Sequence, residues 1–361
     1  MEEEGEDRRS DLSVVLCTYE GARWLPPMLA SLAAQTRLPD ELIVGDDGSS
    51  DGTLDLLRSF ERTAPFAVSV EVNDVRLGPT RNFERALGRA TGAVVALADQ
   101  DDVWHPGKLR RTMELLDEDP TISLLFSDAG LIDARGRPTH RRSPIARPSR
   151  SLWAARDQRG HLRAHPVVEA GTIARRPVAT GCTMVVRRRA IDLALPFPEV
   201  LDDPASPMGH DRWIALVAAT IGTVVALDER LLDFRVHDDQ ATGLDRPTVR
   251  ARRLRRTAQR AATDASDEFV RAHLVAAQQL EAAAARGDCG GDEEAARELA
   301  AVARHHRHRA ETAAMGRHRT RAVLAEARQG GYGHDGAAVR AVAADVVRAL
   351  GAAARRGSAR R

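Results

Sequence analysis

The sequence has few cysteines, few aromatic residues and no long apolar run. Of its 361 residues, three are cysteine and 4% are aromatic. Three widely spaced cysteines are not a disulfide framework, and no pair has the CxxC spacing of a zinc site. No apolar run approaches the roughly 18–20 residues that cross a bilayer, and the first residues lack the basic-then-apolar order of a signal peptide. We therefore expect a cytoplasmic protein with a mostly aliphatic core.

The sequence also lacks an excess of either charge, since it contains 53 basic and 52 acidic residues. A nucleic-acid-binding protein usually shows a strong basic excess, so we expect no nucleic-acid partner. The charge is uneven, because residues 1–10 are largely acidic and the region 246–361 is rich in Ala and Arg. We predict a disordered tail over 1–10, one domain over 11–245 and a helical C-terminal region over 246–361.

Short apolar segments alternate with segments of helical spacing in the first third of the chain. Strands are predicted at 12–17, 41–46, 66–72, 93–98 and 122–127, with helices between them. Near-continuous apolar strands that alternate with helices are typical of a mostly parallel α/β sheet covered on both faces. Ligands bind such sheets beyond the carboxyl ends of the strands. The Arg- and Pro-rich segment 136–178 interrupts the alternation and predicts a long variable loop.

Three carboxylates follow the fourth predicted strand within four residues, at Asp99, Asp101 and Asp102. Crowded carboxylates repel one another, whereas Mg²⁺ or Mn²⁺ prefers oxygen ligands and links protein carboxylates to substrate phosphates. The D-x-D spacing therefore predicts a divalent-cation site, and we expect Asp102 in the turn into the next helix. The alternative is a set of helix caps and turn formers.

A second polar segment, DDGSSDGT at 46–53, follows the second predicted strand. Asp46, at the end of that strand, could accept a hydrogen bond from a nucleobase N–H group. The segment has neither the glycine spacing of a dinucleotide fingerprint nor the Gly-Lys-Ser/Thr of a P-loop. The alternative is a capped, glycine-rich turn.

Two further motifs lie beyond residue 200. Asp211, in GHDRW, would be either a helix N-cap or a carboxylate that takes the proton from an acceptor hydroxyl. Arg235 and His237 would point to the same side of an extended segment. Arg235 could bind a diphosphate and His237 a metal ion, while the alternative for this pair is a solvated polar edge.

Taken together and in order, these segments resemble the family 2 glycosyltransferases over roughly residues 12–243. The resemblance is carried by VVLCTYEGARW, ELIVGDDGSSDGT, NDVRLGPTRNF, VVALADQDDVWHPGKL, ATGCTMVV, GHDRW and LLDFRVHDDQATG. The order DQDDxW, tGCt, HDxW and YRxH is similar to the rhamnosyltransferase-like branch. The chain departs from that branch at Phe234, where Tyr is usual, and in HDDQATG, which replaces an Asn-containing ending.

The resemblance implies a GT-A fold and an inverting transfer from a nucleotide-diphosphate sugar, with dTDP-rhamnose suggested by the branch, to a glycan, lipid-linked or small-molecule acceptor. It implies that Asp211 is the catalytic base and that Asp101, Asp99 and His237 hold Mg²⁺ or Mn²⁺. It also implies a nucleotide-sugar pocket, with Thr18, Tyr19, Glu20, Asp46, Asp47, Arg81, Asn82, Asp99, Gln100 and Arg235.

Alternatives remain for the function and for the C-terminal region. The chain could be a sugar-nucleotide-binding scaffold of a glycan assembly system, without catalysis. The C-terminal helices could pack on the domain or form a homodimer. They could instead dock on an anionic membrane, where lipid-linked acceptors lie, and this would place the protein at the inner face of the membrane.

Overall fold

The computed structural model describes residues 12–240, apart from 141–149, 157, 165, 204–205, 207 and 239, together with residues 265–287 and 293–314. Within these ranges, helices cover an eight-stranded mixed sheet. The predictions for 1–10, 246–264 and 315–361 lie outside the described residues.

The sheet is mostly parallel, as the sequence predicts. Its strands are β1 (Leu12–Thr18), β2 (Glu41–Asp46), β3 (Ala67–Val72), β4 (Val94–Asp99), β5 (Val103–Trp104), β6 (Ile122–Ile132), β7 (Met184–Arg187) and β8 (Thr223–Arg235). The strand order is β3-β2-β1-β4-β7-β6-β8-β5. Strands β1 to β4 pair in parallel, and β7 runs antiparallel between β4 and β6. The predicted α/β class with a mostly parallel sheet is confirmed.

The described helices lie on both sides of this sheet. They are α1 (Leu25–Ala33), α2 (Thr53–Glu61), α3 (Gly78–Leu87), α4 (Lys108–Glu118), α5 (Leu152–Ala155), α6 (Arg159–Ala164), α7 (Ala170–Arg175), α8 (Arg188–Ala194), α9 (His210–Ala219), α10 (Ala265–Gly287) and α11 (Glu293–Ala314). Helices α1 and α3 carry proline in the first turn, where its missing N–H leaves no helical bond unmade. None of the described helices is both long enough and apolar enough to cross a bilayer.

The parallel register brings polar residues of three strands to one edge of the sheet. Thr18 pairs with Asp46 across β1 and β2, and Cys17 pairs with Asp99 across β1 and β4. The strand interiors behind them are apolar and closed to solvent. Because the carboxyl ends of parallel strands meet at one edge, the side chains that follow β1, β2 and β4 share a site.

The prediction of one long loop over 136–178 was wrong from residue 152 onward. Helices α5, α6 and α7 occupy most of it, and Trp153 and Leu162 are buried in the main core. The Trp153 ring packs edge-on against Phe126 of β6, with centroids 5.7 Å apart. These helices have at most six residues, too few to produce a readable apolar period among the arginines. Residues 141–149 lie outside the described part.

The described C-terminal helices belong to the core of the domain. Leu280 of α10 and Leu299 of α11 are buried in the same apolar cluster as α7 and α9. Arg286 donates to the carbonyl oxygens of Leu193 and Leu195, both at 3.0 Å. Of the alternatives that the sequence leaves open for this region, packing on the domain is therefore realised in α10 and α11.

Candidate functional site

The first part of the site is a hydrogen-bonded set around Asp46, at the end of β2. The Asp46 carboxylate is fully buried and accepts from the Thr18 hydroxyl at 2.7 Å, the Ser49 N–H at 2.8 Å and the Ser49 hydroxyl at 2.7 Å. Both carboxylate oxygens are thus satisfied by the chain itself. A nucleobase contact through Asp46 stays a prediction, and Oδ1, which accepts one hydrogen bond here, has a second lone pair for it.

Asp47 anchors the start of α3. Its buried carboxylate accepts from the N–H groups of Leu77 at 2.7 Å and Gly78 at 2.8 Å, and from the Asn73 side chain at 3.0 Å. Asn82, in α3, accepts from the same Asn73 amide group at 3.0 Å. A carboxylate at a helix N-terminus is favoured by the unpaired N–H groups there. Asp47 and Asn82 therefore hold α3 against the end of β2, and their predicted nucleotide contacts stay predictions.

Arg81, also in α3, is held by an ion-pair network. Its guanidinium donates to Asp202 at 2.9 and 2.5 Å, to Glu84 at 2.6 Å and to the Phe197 carbonyl at 3.0 Å. The bond to Asp202 is the main cause that raises the pKa of Arg81. Arg81 ties α3 to the segment before α9, so the predicted nucleotide contact would require its release from Asp202.

Gln100 links the loop after β4 to the turn after β1. Its side chain accepts from the Tyr19 N–H at 2.9 Å and donates to the Tyr19 carbonyl at 3.0 Å. Gly21 permits this approach, because a Cβ there would lie 2.1 Å from the Gln100 oxygen. Glu20 has a φ of 47° and accepts from the Ser50 N–H at 2.8 Å. The predicted residues Tyr19, Glu20 and Gln100 are thus brought together at one turn.

Asp101 and His237, two of the predicted metal ligands, are in contact. The Nε2 atom of His237 lies 2.8 Å from Oδ2 of Asp101. The imidazole stacks on the Trp24 indole, with centroids 4.5 Å apart and an interplanar angle of 26°. The stack fixes the plane of the imidazole, so its nitrogen points at the carboxylate.

Arg235 faces the backbone of the acidic loop, by which we mean residues 99–104. Its guanidinium Nε donates to the Asp101 carbonyl at 2.7 Å, and its own N–H donates to the Asp102 carboxylate at 3.0 Å. The residue is buried. Arg235 therefore holds the end of β8 against the acidic loop, and its predicted contact with a diphosphate stays a prediction.

The third predicted ligand, Asp99, clusters with other partners. Potential metal-ligand atoms of Asp99, Asp102 and Cys182 all lie within 4.8 Å of one another. Among the described residues, no other three His, Cys, Asp or Glu side chains come this close together. Burial raises the pKa of Asp99 to about 7, and the charges of Asp101 and Asp211 act in the same direction. The oxygens of Asp99 and Asp101 and the nitrogen of His237 are possible ligands of Mg²⁺ or Mn²⁺. A cation bound nearby would offset the repulsion of Asp99 by Asp101 and Asp211.

The structure corrects the prediction for Asp102. β5 begins at Val103, directly after Asp102, and α4 begins only at Lys108, so Asp102 does not lead into a helix. Its carboxylate is fully buried, and Oδ2 has no hydrogen-bond partner among the described residues. Burial, followed by the charges of Asp101 and Asp99, raises the pKa of Asp102. Asp102 is therefore a buried carboxylate of the cluster, held by the Arg235 N–H.

Lys108 is a site residue that the sequence interpretation missed. Its ammonium is fully buried, donates to the Cys182 carbonyl at 2.6 Å and lies 3.6 Å from the Trp104 ring centroid. Burial lowers its pKa to about 7, while the charges of Cys182, Asp102 and Asp99 act in the opposite direction. The available signal was helical spacing, because Lys108 shares the buried face of α4 with Leu109 and Leu116.

Asp211 lies in the first turn of α9, but it is not the N-cap. The N-cap position is occupied by Gly209, and no side chain caps this helix start with a hydrogen bond. The Asp211 carboxylate accepts a hydrogen bond from the Arg212 N–H at 2.7 Å. Asp211 is also close to Gly181, because a Cβ atom added to that glycine would lie 3.6 Å from the Asp211 Cβ. Gly181 precedes Cys182, so Asp211 stands beside the Asp99–Asp102–Cys182 cluster. The capping alternative for Asp211 is therefore excluded.

His210 and Arg212 fix α9 in place. The His210 ring stacks on Phe83 of α3 with centroids 4.1 Å apart, and its Nε2 atom is buried without a hydrogen-bond partner among the described residues. Arg212 donates to the carbonyl oxygens of Ile173, at 3.0 Å, and Ala174 at the end of α7. Burial lowers the pKa of Arg212 to about 10. These contacts set the direction in which Asp211 leaves the helix.

Known proteins match this chain at the level of family. Residues 13–190 match the family model described as glycosyl transferase family 2. An uncharacterized glycosyltransferase of Nostoc sp. is 26% identical over 228 residues, which are 63% of this chain and 65% of that protein. The dTDP-rhamnosyl transferase RfbG of Shigella flexneri is 25% identical over 105 residues, 28% of this chain and 36% of that protein. The chain thus spans less than two thirds of these relatives.

A solved structure matches at the level of fold. TarS 1-349 of S. aureus, in complex with UDP, superposes with a TM-score of 0.52 and 18% sequence identity. The match covers 89% of this chain and 88% of that chain. At this identity the likeness concerns the fold alone, and it confirms the predicted GT-A-like fold.

Proposed function

We propose that this chain, whose residues 13–190 match the model of glycosyl transferase family 2, transfers a sugar from a nucleoside-diphosphate donor to an acceptor hydroxyl, with inversion at the anomeric carbon. One observation carries this proposal. Asp211 stands beside the cluster that contains Asp99, at the edge where β1, β2 and β4 end, and its charge contributes to the raised pKa of Asp99. A carboxylate base and a donor-side acidic loop therefore share one site.

Asp211 is the proposed general base. The acceptor hydroxyl must lose a proton as its oxygen attacks the anomeric carbon, and a positioned carboxylate can accept that proton. Asp211 does not cap α9, and its carboxylate accepts a hydrogen bond from the adjacent Arg212 N–H. In-line attack on the face opposite the departing diphosphate inverts the anomeric centre, through a transition state of oxocarbenium character.

Asp101, His237 and Asp99 are the proposed ligands of Mg²⁺ or Mn²⁺. When bound, such a cation stabilises the negative charge that develops on the leaving diphosphate. The chain supports this role by orientation, since Trp24 fixes the His237 imidazole and His237 meets Asp101 at 2.8 Å. The Asp99 carboxylate, which is repelled by Asp101 and Asp211, gains most from a neighbouring positive charge.

For the donor we propose dTDP-rhamnose, and for the acceptor a hydroxyl of a glycan or of a lipid-linked or small-molecule acceptor. The support is the order DQDDxW, tGCt, HDxW and FRxH in this chain and its partial similarity to RfbG. The nucleotide would lie against the turns after β1 and β2, where Thr18, Tyr19 and Asp46 stand. UDP- and GDP-sugars are the competing donors.

The test combines a donor panel with one substitution. Thermal shift and transfer or hydrolysis are measured with dTDP-rhamnose and with UDP- and GDP-sugars, each in Mn²⁺ or in EDTA. We expect one donor class to raise the Tm and to turn over only with the cation. Asp211→Asn should lower turnover by about 10²–10⁴-fold, because the proton acceptor is lost, while donor affinity stays within about threefold. Asp192→Asn, an exposed carboxylate of α8, is the matched control and should keep wild-type turnover.

Each part of the proposal has its own contrary result. Wild-type turnover in Asp211→Asn would remove the base assignment. Full turnover in EDTA would remove the cation. A wild-type protein that binds a donor but neither transfers nor hydrolyses its sugar would be the non-catalytic scaffold instead.

A further inference from the structure

Both arginines that the sequence predicts for the nucleotide pocket are already bound by the chain. The Arg81 guanidinium donates to the carboxylates of Asp202 and Glu84. Arg235 is buried, and its guanidinium Nε donates to the Asp101 carbonyl at 2.7 Å. A diphosphate needs N–H donors that are free to meet its oxygens. Neither guanidinium can turn toward a diphosphate without giving up a protein partner.

Two other arginines at the same edge of the sheet have no such partner. The Arg76 guanidinium lies over the Tyr19 ring, 3.8 Å from its centroid, and that of Arg23 lies over the Trp24 ring at 4.2 Å. Both arginines are exposed, and neither forms an ion pair within the part of the chain that the structure describes. A guanidinium that stacks on an aromatic face keeps the N–H donors in its plane free. The ring contact therefore orients each guanidinium without using its donors.

The two aromatic rings connect these guanidiniums to the site of the proposed cation. Tyr19 and Trp24 stand at the two ends of the turn between β1 and α1. The Tyr19 backbone is hydrogen-bonded to the side chain of Gln100, which precedes Asp101 in the chain. The Trp24 ring stacks on His237, whose Nε2 lies 2.8 Å from the Asp101 carboxylate. Each guanidinium is thus joined to this site through one aromatic residue.

The segment that carries Arg76 is held at both ends, although Arg76 itself is exposed. The Asn73 N–H donates to the Asp46 carbonyl at 2.8 Å, and the Leu77 N–H donates to the Asp47 carboxylate at 2.7 Å. Arg76 therefore lies in a short, fixed segment beside the end of β2, where the nucleotide is proposed to lie.

We propose that Arg23 and Arg76 bind the diphosphate of the nucleoside-diphosphate donor, each oriented by its aromatic neighbour. The identity of this ligand rests on the proposed function, whereas the anion site itself rests on the two stacked guanidiniums. The guanidinium fork matches phosphate oxygens, and its positive charge offsets part of the charge of a diphosphate.

The competing explanation is that the two arginines only cover the faces of Tyr19 and Trp24. Removing such a cover would act equally on a nucleoside and on its diphosphate, because it does not involve the phosphates. A guanidinium that binds phosphate oxygens contributes to the affinity for the diphosphate alone. The two explanations therefore predict different results for thymidine and for dTDP.

The experiment compares ligands that differ only in their phosphates. Dissociation constants for dTDP and UDP are measured by calorimetry in Mn²⁺, and those for thymidine and uridine by ligand-observed NMR. Inorganic pyrophosphate is titrated separately in EDTA. The proteins are the wild type, Arg23→Met, Arg76→Met and the double variant. Arg110→Met is the matched control, since it removes an exposed arginine from α4.

We expect each single variant to bind dTDP or UDP about tenfold more weakly, as for the loss of a hydrogen bond to a charged group. The double variant should lose about a hundredfold if the two contacts are independent. The affinity for thymidine and uridine should change by no more than about twofold. Pyrophosphate should show losses in the same order, and Arg110→Met should behave as the wild type. Because both side chains are exposed, the Tm of each variant should stay within about 2 °C of the wild type.

Wild-type affinity for the diphosphates in both single variants would overturn the proposal, as would equal losses for nucleosides and diphosphates. A loss in one variant alone would remove the other arginine from the site. If the wild type binds no nucleoside diphosphate, the proposed donor fails, and the pyrophosphate titration decides the anion site. A loss of pyrophosphate binding in the variants then supports that site, whereas no binding by the wild type, or no loss in the variants, overturns it.

Discussion

The two sides of the site differ in how completely their buried polar groups are paired. On the β1–β2 side, the carboxylates of Asp46 and Asp47 accept hydrogen bonds on both oxygens. On the side of the acidic loop, Oδ2 of Asp102 and Nε2 of His210 are buried without hydrogen-bond partners among the described residues. The pKa of Asp99 there is raised to about 7, chiefly by burial.

This difference separates stability from chemistry. A fully paired network is rigid, and it stabilises the fold. Buried groups with displaced pKa values cost stability, and they cluster where proteins bind charge or catalyse reactions. Substitutions on the β1–β2 side should therefore act mainly on the free energy of unfolding, and those on the acidic-loop side on ion and proton binding.

The largest effect on the paired side is expected from Asp47→Asn. The asparagine amide group would face the N–H groups of Leu77 or Gly78, so a buried donor is left unpaired at the start of α3. We expect the free energy of unfolding to fall by about 3 kcal/mol, measured by urea denaturation. Asp74→Asn, an exposed carboxylate nearby, should change it little. A loss no larger than that of the control would contradict the assignment of stability to this side.

On the acidic-loop side, the expected effect is a pH dependence of stability. The pKa of Asp99 is about 7 in the folded state against an ordinary 3.8, so the folded state holds its proton more tightly. Stability from this group is present below pH 3.8 and is lost as the pH rises through 7. After allowance for partial exposure, the loss should be about 2 kcal/mol.

The measurement is the Tm in EDTA between pH 4 and 8, for the wild type and for Asp99→Asn. We expect the wild type to lose stability across this range and the variant to lose less, because its amide does not titrate. Mn²⁺ should reduce the loss in the wild type by stabilising the ionised carboxylate. Parallel curves for the two proteins would show that Asp99 is not the titrating group.

The edge of the sheet could be predicted from the sequence, whereas the pairings at that edge could not. Apolar runs that end in polar turns place Thr18, Asp46 and Asp99 together, because the carboxyl ends of parallel strands must meet. The contact of His237 with Asp101 joins residues 136 positions apart, and that of Arg81 with Asp202 joins residues 121 apart. Strand and helix periods carry no information on such distant pairs.

Lys108 shows a second limit of the sequence. A lysine on the buried face of a helix start is readable from spacing, but burial of lysine is rare, so composition argues against it. The partners that permit the burial, Trp104 and the Cys182 carbonyl, come from an adjacent strand and from a distant turn. The crowded carboxylates of the acidic loop predict a bound cation, but they do not predict a fully buried lysine at the start of α4.

The smallest effect is expected where the two sides meet, at Gln100. Its side chain makes two hydrogen bonds with the Tyr19 backbone, at 2.9 and 3.0 Å, and both are only partly buried. Water can replace such bonds, so Gln100→Ala should lower the free energy of unfolding by about 1 kcal/mol. Gln100→Glu should cost more than Gln100→Ala, because it sets a carboxylate oxygen against the Tyr19 carbonyl oxygen and adds a negative charge to the acidic loop. If Gln100→Ala instead costs as much as Asp47→Asn, the two sides form one cooperative unit, and the division between stability and chemistry does not hold.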